Sequence, residues 1–263
     1  MYHLRLIGSF AKISAQNEMA YRANFWISLL NSALNLVTGI LGVWVLFEQI
    51  ETLNGWDLPA TLAILGVYLS VGALRGLFIS PSLDTLTGMD GEVWTGKFDF
   101  TLLKPVDVQF QASFRHWHPL ALIDLALGLG VLYLAVSQMG SSFTAGSLLS
   151  FAVALAIAMT LLYAILLVFA GLVFWSPGFL FTWVFDGIFQ MARYPVGIYP
   201  TWLQWLLTWL VPIGIITTVP AEAFTGNLNL SMLVGSGLFA LVAVICASLV
   251  FRLGVRRYAS ASS

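Results

Sequence analysis

Few side chains in this sequence could carry chemistry, and most of those that could are charges set inside apolar stretches. Arg75, Asp124, Asp186 and Glu222 each fall within a stretch that is otherwise greasy. An unpaired charge in lipid costs at least about 2.5 kcal/mol, so such residues pair, face a cavity or reach the headgroups. An ion pair of Arg75 with Asp124 or Asp186 is one expectation. Snorkelling of Arg75 to the headgroups is the other. Three histidines and the single cysteine, Cys246, have no metal-ligand spacing and allow no internal disulfide. His116, Trp117 and His118 fit interfacial anchors better than a site. Gly91, Gly96 and Lys97 match part of a phosphate-binding loop, but Phe98 stands where Ser or Thr would hold magnesium. Any use of ATP must therefore lie on another chain. No G-x-S-x-G elbow is present. No cofactor is expected in this chain, and the net charge of -1 gives no sign of a nucleic-acid partner.

The elements that position these residues are membrane helices. Hydrophobic residues make up 59% of the 263 residues and charged residues 9%, against roughly 25% charged in soluble domains. A membrane helix needs about 20 mostly apolar residues. Ala23 to Phe47, Pro59 to Leu83, Pro119 to Met139, Leu148 to Trp175 and Ser231 to Phe251 meet that requirement. Gly178 to Ala192 and Trp202 to Phe224 are less regular, the second broken by Pro212 and Pro220 and preceded by Pro195 and Pro200.

Charge sets the parity. Arg5, Lys12 and Arg22 precede the first span, Arg252, Arg256 and Arg257 follow the last, and Lys97, Lys104 and Arg115 lie between the second and third. Lys and Arg mark the cytoplasmic side, so both termini and the 84–118 segment are expected inside. The segment after the first span and Ser137 to Ser147 are expected outside. The fold expected is an all-α membrane protein with six transmembrane helices. In one arrangement Gly178 to Ala192 crosses as a short fifth span, and 195–226 forms a re-entrant outer hairpin before the last span. In the other, Gly178 to Ala192 lies on the inner surface and Trp202 to Phe224 crosses.

Residues 1–22 are expected to form an amphipathic interface helix, with Arg5, Ser9, Lys12 and Gln16 opposite Leu6, Phe10 and Ile13. No cleavable signal pattern is visible there. Gly72 and Gly76 give a small-x-x-x-small pair that could serve internal packing or a subunit seam. The 84–118 segment is too long for a mere link between helices, where about 2 to 8 residues are usual. Its charges alternate with Trp94, Phe98, Phe100, Leu102 and Leu103, which suggests a docking surface.

In this setting the stretch of Gly96, Asp99, Leu102, Leu103, Lys104 and Pro105, followed by Gln109 and Gln111, resembles a bacterial subfamily of type-2 ABC exporter permeases. The region around Tyr194, Pro195, Tyr199, Pro200, Pro212, Pro220 and Ala221 is similar to the family's second region of likeness. The resemblance covers nearly the whole chain. It implies a 23–263 transmembrane domain in a bacterial inner membrane, surrounded by lipid and paired with a second permease, a heterodimer being favoured over a homodimer. It also implies two cytoplasmic ATPase subunits that carry ATP and magnesium. The segment from Gly88 to Val108 would then be the coupling helix, with Trp94, Gly96, Asp99, Phe100, Leu102, Leu103 and Pro105 at the ATPase contact. Two other classes stay open. An ion-coupled carrier would favour inverted repeats, and none is visible. An intramembrane lipid-modifying enzyme would have only Arg75, Asp124, Asp186 and Glu222 as catalytic groups.

Overall fold

The computed structural model describes residues 2–19, 22–139, 145–178 and 180–258. Residues 140–144 of the Ser137 to Ser147 turn, and residues 20 and 21 between the first two helices, lie outside them. The helices are α1 (Tyr2–Met19), α2 (Arg22–Phe47), α3 (Leu58–Leu74), α4 (Ser80–Leu83), α5 (Phe98–Leu102) and α6 (Val108–Phe114). They continue as α7 (Ala121–Met139), α8 (Ala145–Leu172), α9 (Phe181–Phe189), α10 (Thr201–Trp205), α11 (Ile213–Thr225) and α12 (Leu230–Arg257). Five stretches are long and apolar enough to cross a membrane: Ala23–Phe47, Leu58–Leu86, Ala121–Met139, Gly146–Leu172 and Leu230–Arg257. A sixth candidate is the pair Thr201–Leu210 and Ile213–Thr225, bent by 89°.

Short polar residues start the helices. Asp57 Oδ1 accepts from the Ala60 amide at 2.9 Å at the head of α3, and Asp107 Oδ1 from Phe110 at 2.8 Å at the head of α6. Asn229 Oδ1 accepts from Ser231 at 3.0 Å at the head of α12. Each satisfies an amide that the first turn leaves free.

Proline shapes the inner end of the second span. Pro81 has no amide to donate to Leu77, so the ladder widens into a π turn over Arg75–Ile79, closed by the Ser80 amide on the Arg75 carbonyl. The Leu77 carbonyl accepts instead from the His118 amide at 2.9 Å. One proline thus both reshapes α3 and ties it to the start of α7. The same device recurs before Pro212, where a π turn over Leu206–Leu210 ends with the Val211 amide on Leu206.

Close helix contacts rest on glycine. A Cβ on Gly128 of α7 would lie 2.8 Å from the Ser70 amide nitrogen of α3, and one on Gly66 2.9 Å from the Leu132 nitrogen. At the α8–α12 seam, Gly254 faces the Gly171 carbonyl at 2.7 Å. Gly72 and Gly76 have only ordinary neighbours at 4.0 and 3.7 Å, so the close approach of α3 falls at Gly66 instead. Between these seams lies a continuous apolar core including Ile64, Val67, Leu161, Leu167, Ile216 and Phe251.

The α9 helix has nine residues, about 14 Å long at a rise of about 1.5 Å per residue, under half of a roughly 30 Å hydrocarbon core. The chain around it nevertheless follows the whole length of α3. The Gly178 Cβ position lies 3.3 Å from the Trp94 ring, Asp186 pairs with Arg75, Phe189 stacks near Tyr68, and Gly197 accepts from Asn54 Nδ2 at 2.7 Å. Trp94 and Asn54 flank opposite ends of Leu58–Leu86.

Candidate functional site: the 84–118 segment and a charged cavity

The 84–118 segment is built around Phe98. That ring is fully buried, with Phe174 and Tyr258 each at 5.1 Å between centroids. Leu86, Val93 and Thr101 are buried with it. The segment is closed on itself by Arg115 at the end of α6, which reaches Glu92 at 2.9 Å and Thr101 Oγ1 at 3.3 Å. Thr101 in turn donates to Glu92 Oε2 at 3.1 Å. Burial first, and the neighbouring Asp99 second, push the Tyr258 phenol up to about 12.

The glycines of the apparent phosphate loop serve the backbone. Gly96 has φ +74, and a Cβ on Gly91 would lie 2.5 Å from the Thr87 carbonyl. Both positions need glycine for conformation alone.

Around this anchored centre the remaining apolar residues point outward. Leu103 is 79% exposed, Phe100 69%, Trp94 55% and Leu102 41%, with Met89 and Pro105 exposed beside them. The pattern arises because α5 is a single amphipathic turn. Phe98 and Thr101 face in, and Phe100, Leu102 and Leu103 face out. Behind the segment, Gln109 Nε2 donates to Tyr163 and Ser248, while Gln111 Nε2 donates to the Val106 carbonyl.

The N-terminal helix meets the same end of the molecule. Ser14 Oγ accepts from the Trp117 amide, Glu18 Oε2 from the Leu120 amide, and Glu18 Oε1 pairs with His118. The face turned inward runs through Ile7, Ala11, Ser14 and Glu18, whereas Ile13 is 54% exposed. Of the expected apolar face, Leu6 and Phe10 are half-buried and Ile13 is exposed, because two polar side chains on the neighbouring stripe find backbone donors. His116 next door is half-buried, and burial, aided by the Arg115 charge, holds its imidazole below the usual range.

Within the helices, Arg75 Nη2 lies 2.5 Å from Asp186 Oδ1. Arg75 Nε also donates to Ser80 Oγ at 2.9 Å, and its guanidinium sits over the rings of Phe185 and Phe189. Asp124 has no ion pair among the described residues. It lines a cavity of about 480 Å³ with Arg75, Asp186 and His118. Arg193 bonds Asn35 Oδ1 and lies over Tyr68, both on the cavity wall. Glu222 does not line this cavity, so the four intramembrane charges do not converge on one point. The opposite wall, Ser28, Asn31, Ser32 and Asn35 of α2, was absent from the sequence expectations. Its signal is present in the sequence as a polar stripe at i, i+3, i+4 and i+7 along one helical face. No group of three potential metal ligands occurs among the described residues.

Along the bent pair, Pro195 and Pro200 open the short turns that begin at Val196 and Thr201, and Pro212 opens α11. Pro220 lies inside α11, which ends at Gly226 with φ +79. Trp209 meets Phe239 of α12, and Phe224 meets Phe151 near the start of α8.

Five apolar spans, with a short helix beside them and a polar segment capped by exposed apolar side chains, make this a helical membrane protein. The chain matches the ABC-2 family transporter proteins over residues 33–262 and belongs to that family. It is a multi-pass membrane protein, the permease component of an ABC transporter. Comparison with curated proteins gave no match.

Proposed function

We propose that this chain is one permease of an ATP-driven exporter in the bacterial inner membrane, pairing with a second, unlike permease above two cytoplasmic ATPase subunits. The ATPases carry ATP and magnesium, and this chain carries no catalysis of its own. Both termini and the 84–118 segment face the cytoplasm. Residues 178–198 cross the membrane beside α3, and 201–225 dips in from the outer side and returns. The contacts of Gly178 with Trp94 and of Gly197 with Asn54 support that path.

The observation that carries the proposal is the division of the 88–108 segment into a buried anchor and an exposed apolar rim. Phe98 is fully buried while Phe100 and Leu103 are largely exposed. A segment that merely linked two helices would not hold two bulky apolar groups in water on a rigid base. Through Phe98 and Tyr258 the rim is coupled to α12, and through Arg115 to α6. A push by the ATPases is thereby delivered to two helices. The α1 helix, joined to Trp117 and Leu120, adds to the same inner surface.

Co-purification tests this. Wild type should recover a co-expressed ATPase subunit, and a Phe100→Asp, Leu103→Asp variant should lose most of that recovery while keeping its folded yield. Undiminished recovery would remove the docking surface from this segment.

A further inference from the structure

We infer that the cavity between α2, α3, α7 and α9 binds the ammonium headgroup of an amphiphile whose chain lies in the membrane. This names a substrate class and rests on the transporter function proposed above.

The cavity's volume of about 480 Å³ lies within the roughly 300–1,000 Å³ of small-molecule sites. Its wall is polar although it sits among membrane helices. Ser28, Asn31, Ser32 and Asn35 give α2 a hydrophilic face, and polar groups at such depth are costly unless they meet a partner. Serine is only partly accounted for internally, since Ser32 Oγ donates to its own helix at Ser28. Asn31 is exposed, and Asp186 keeps 47% of its side chain accessible despite its ion pair. The cavity is therefore open at the side, between α2 and α9.

Arg193 serves the Asn35 end of the cavity, bonded to Asn35 and lying over Tyr68, and at the Asp124 end the charges favour a cation. Arg75 and Asp186 neutralise one another, and His118 is engaged by Glu18. Asp124 is left as a carboxylate with no ion-pair partner among the described residues. A protonated amine placed there would gain a charge-assisted hydrogen bond from its N–H to Asp124, and the side-chain carbonyl of Asn31 could accept another, whereas Asn35 Oδ1 is already taken by Arg193. An anionic head would meet Asp124 as a like charge. Beside the stripe on α2, Ile27, Leu30 and Leu34 are exposed. They offer an alkyl chain a surface continuous with the hydrocarbon of the bilayer.

The test uses the purified subunit in phosphatidylcholine nanodiscs, with radiolabelled dodecylamine, dodecanol and dodecanoate as probes of equal chain length. Dodecylamine should bind saturably and at least about tenfold more tightly than the other two. Asp124→Asn should weaken it about tenfold, and Asp124→Glu should retain it. Should Asp124→Asn fail to fold, the comparison of the three probes on wild type still decides. Equal binding of all three, or tighter binding of dodecanoate, would overturn the inference, as would unchanged affinity in Asp124→Asn. Efficient disulfide cross-linking of two Asn31→Cys copies in a Cys246→Ser background would assign the stripe to a subunit seam and also overturn it. Adding phosphatidylethanolamine to the nanodiscs separates the sources: displacement of dodecylamine identifies a lipid headgroup, and its absence a single-chain amine. ATPase recovery from the same preparations reports separately on docking, so loss of amine binding with intact recovery refutes this inference alone.

Discussion

The guanidinium of Arg75 and the carboxylate of Asp186 meet at 2.5 Å, joining the π turn of the second span to α9. The two partners are unequally placed: Arg75 is 11% exposed and Asp186 47%. Removing Asp186 strands a nearly buried cation, whereas removing Arg75 leaves a carboxylate that solvent or headgroups can reach. Asp186→Ala should therefore cost about 3 kcal/mol, as for a broken buried pair. Arg75→Ala should cost about 1 kcal/mol or less, as for an exposed one. Thermal unfolding in detergent measures both. The double variant should be no less stable than Asp186→Ala, and additive losses would show that the two groups act independently.

Helix separation gives a second expectation within a single helix. Gly128 and Gly130 both lie in α7, but a Cβ at 128 would meet the Ser70 backbone at 2.8 Å and one at 130 would meet nothing within 4 Å. Gly128→Ala must push α3 and α7 apart and should cost about 1–3 kcal/mol. Gly130→Ala should be neutral or stabilise by up to about 1 kcal/mol through helix propensity. Equal effects in thermal unfolding would mean that the helices are not in contact at Gly128.

Phe98 and Phe100 stand two residues apart in the same turn with opposite exposures, 0% and 69%. Phe98→Ala removes the ring that holds the segment on Phe174 and Tyr258, at a cost of about 3–5 kcal/mol. Limited proteolysis should then cut within 88–108 faster than in wild type. Phe100→Ala should change stability by less than about 0.5 kcal/mol and leave the cutting rate unchanged, yet lower ATPase recovery.

His116 predicts an acid dependence. Its folded pKa lies below 6.5, from burial first and the Arg115 charge second. The fold thus prefers neutral imidazole, and the unfolded chain takes up the proton first as pH falls. Stability from this group is fully present above pH 6.5 and is lost as pH falls through the folded value. Unfolding midpoints should decline on acidification below 6.5, and His116→Phe should flatten that decline. An unchanged slope would show that His116 does not feel its surroundings.

The membrane class and five spans were legible in the sequence. Hydrocarbon length and the cost of unpaired charge act on one residue at a time, so they leave a local record. The apolar rim at Trp94, Phe100 and Leu103 was legible too, since an apolar side chain among charges is visible without a fold. The anchor was less so: Phe98 by itself gives no hint that Phe174 and Tyr258, far along the chain, will pack against it.

What required tertiary structure was the choice of partners. The sequence left Arg75 free to pair with Asp124 or Asp186, and only the packing of α9 along α3 selected Asp186. The Leu77 carbonyl freed by Pro81 could have gone to water, but the start of α7 lies close enough for His118 to claim it. The stripe on α2 was present in the letters as a periodicity, yet it became the wall of a cavity only where three other helices stand around it. Composition and period fix what each helix must bury, because solvation is a property of the residue. Which helix does the burying is a property of the pair, and it is decided where glycine lets two backbones approach.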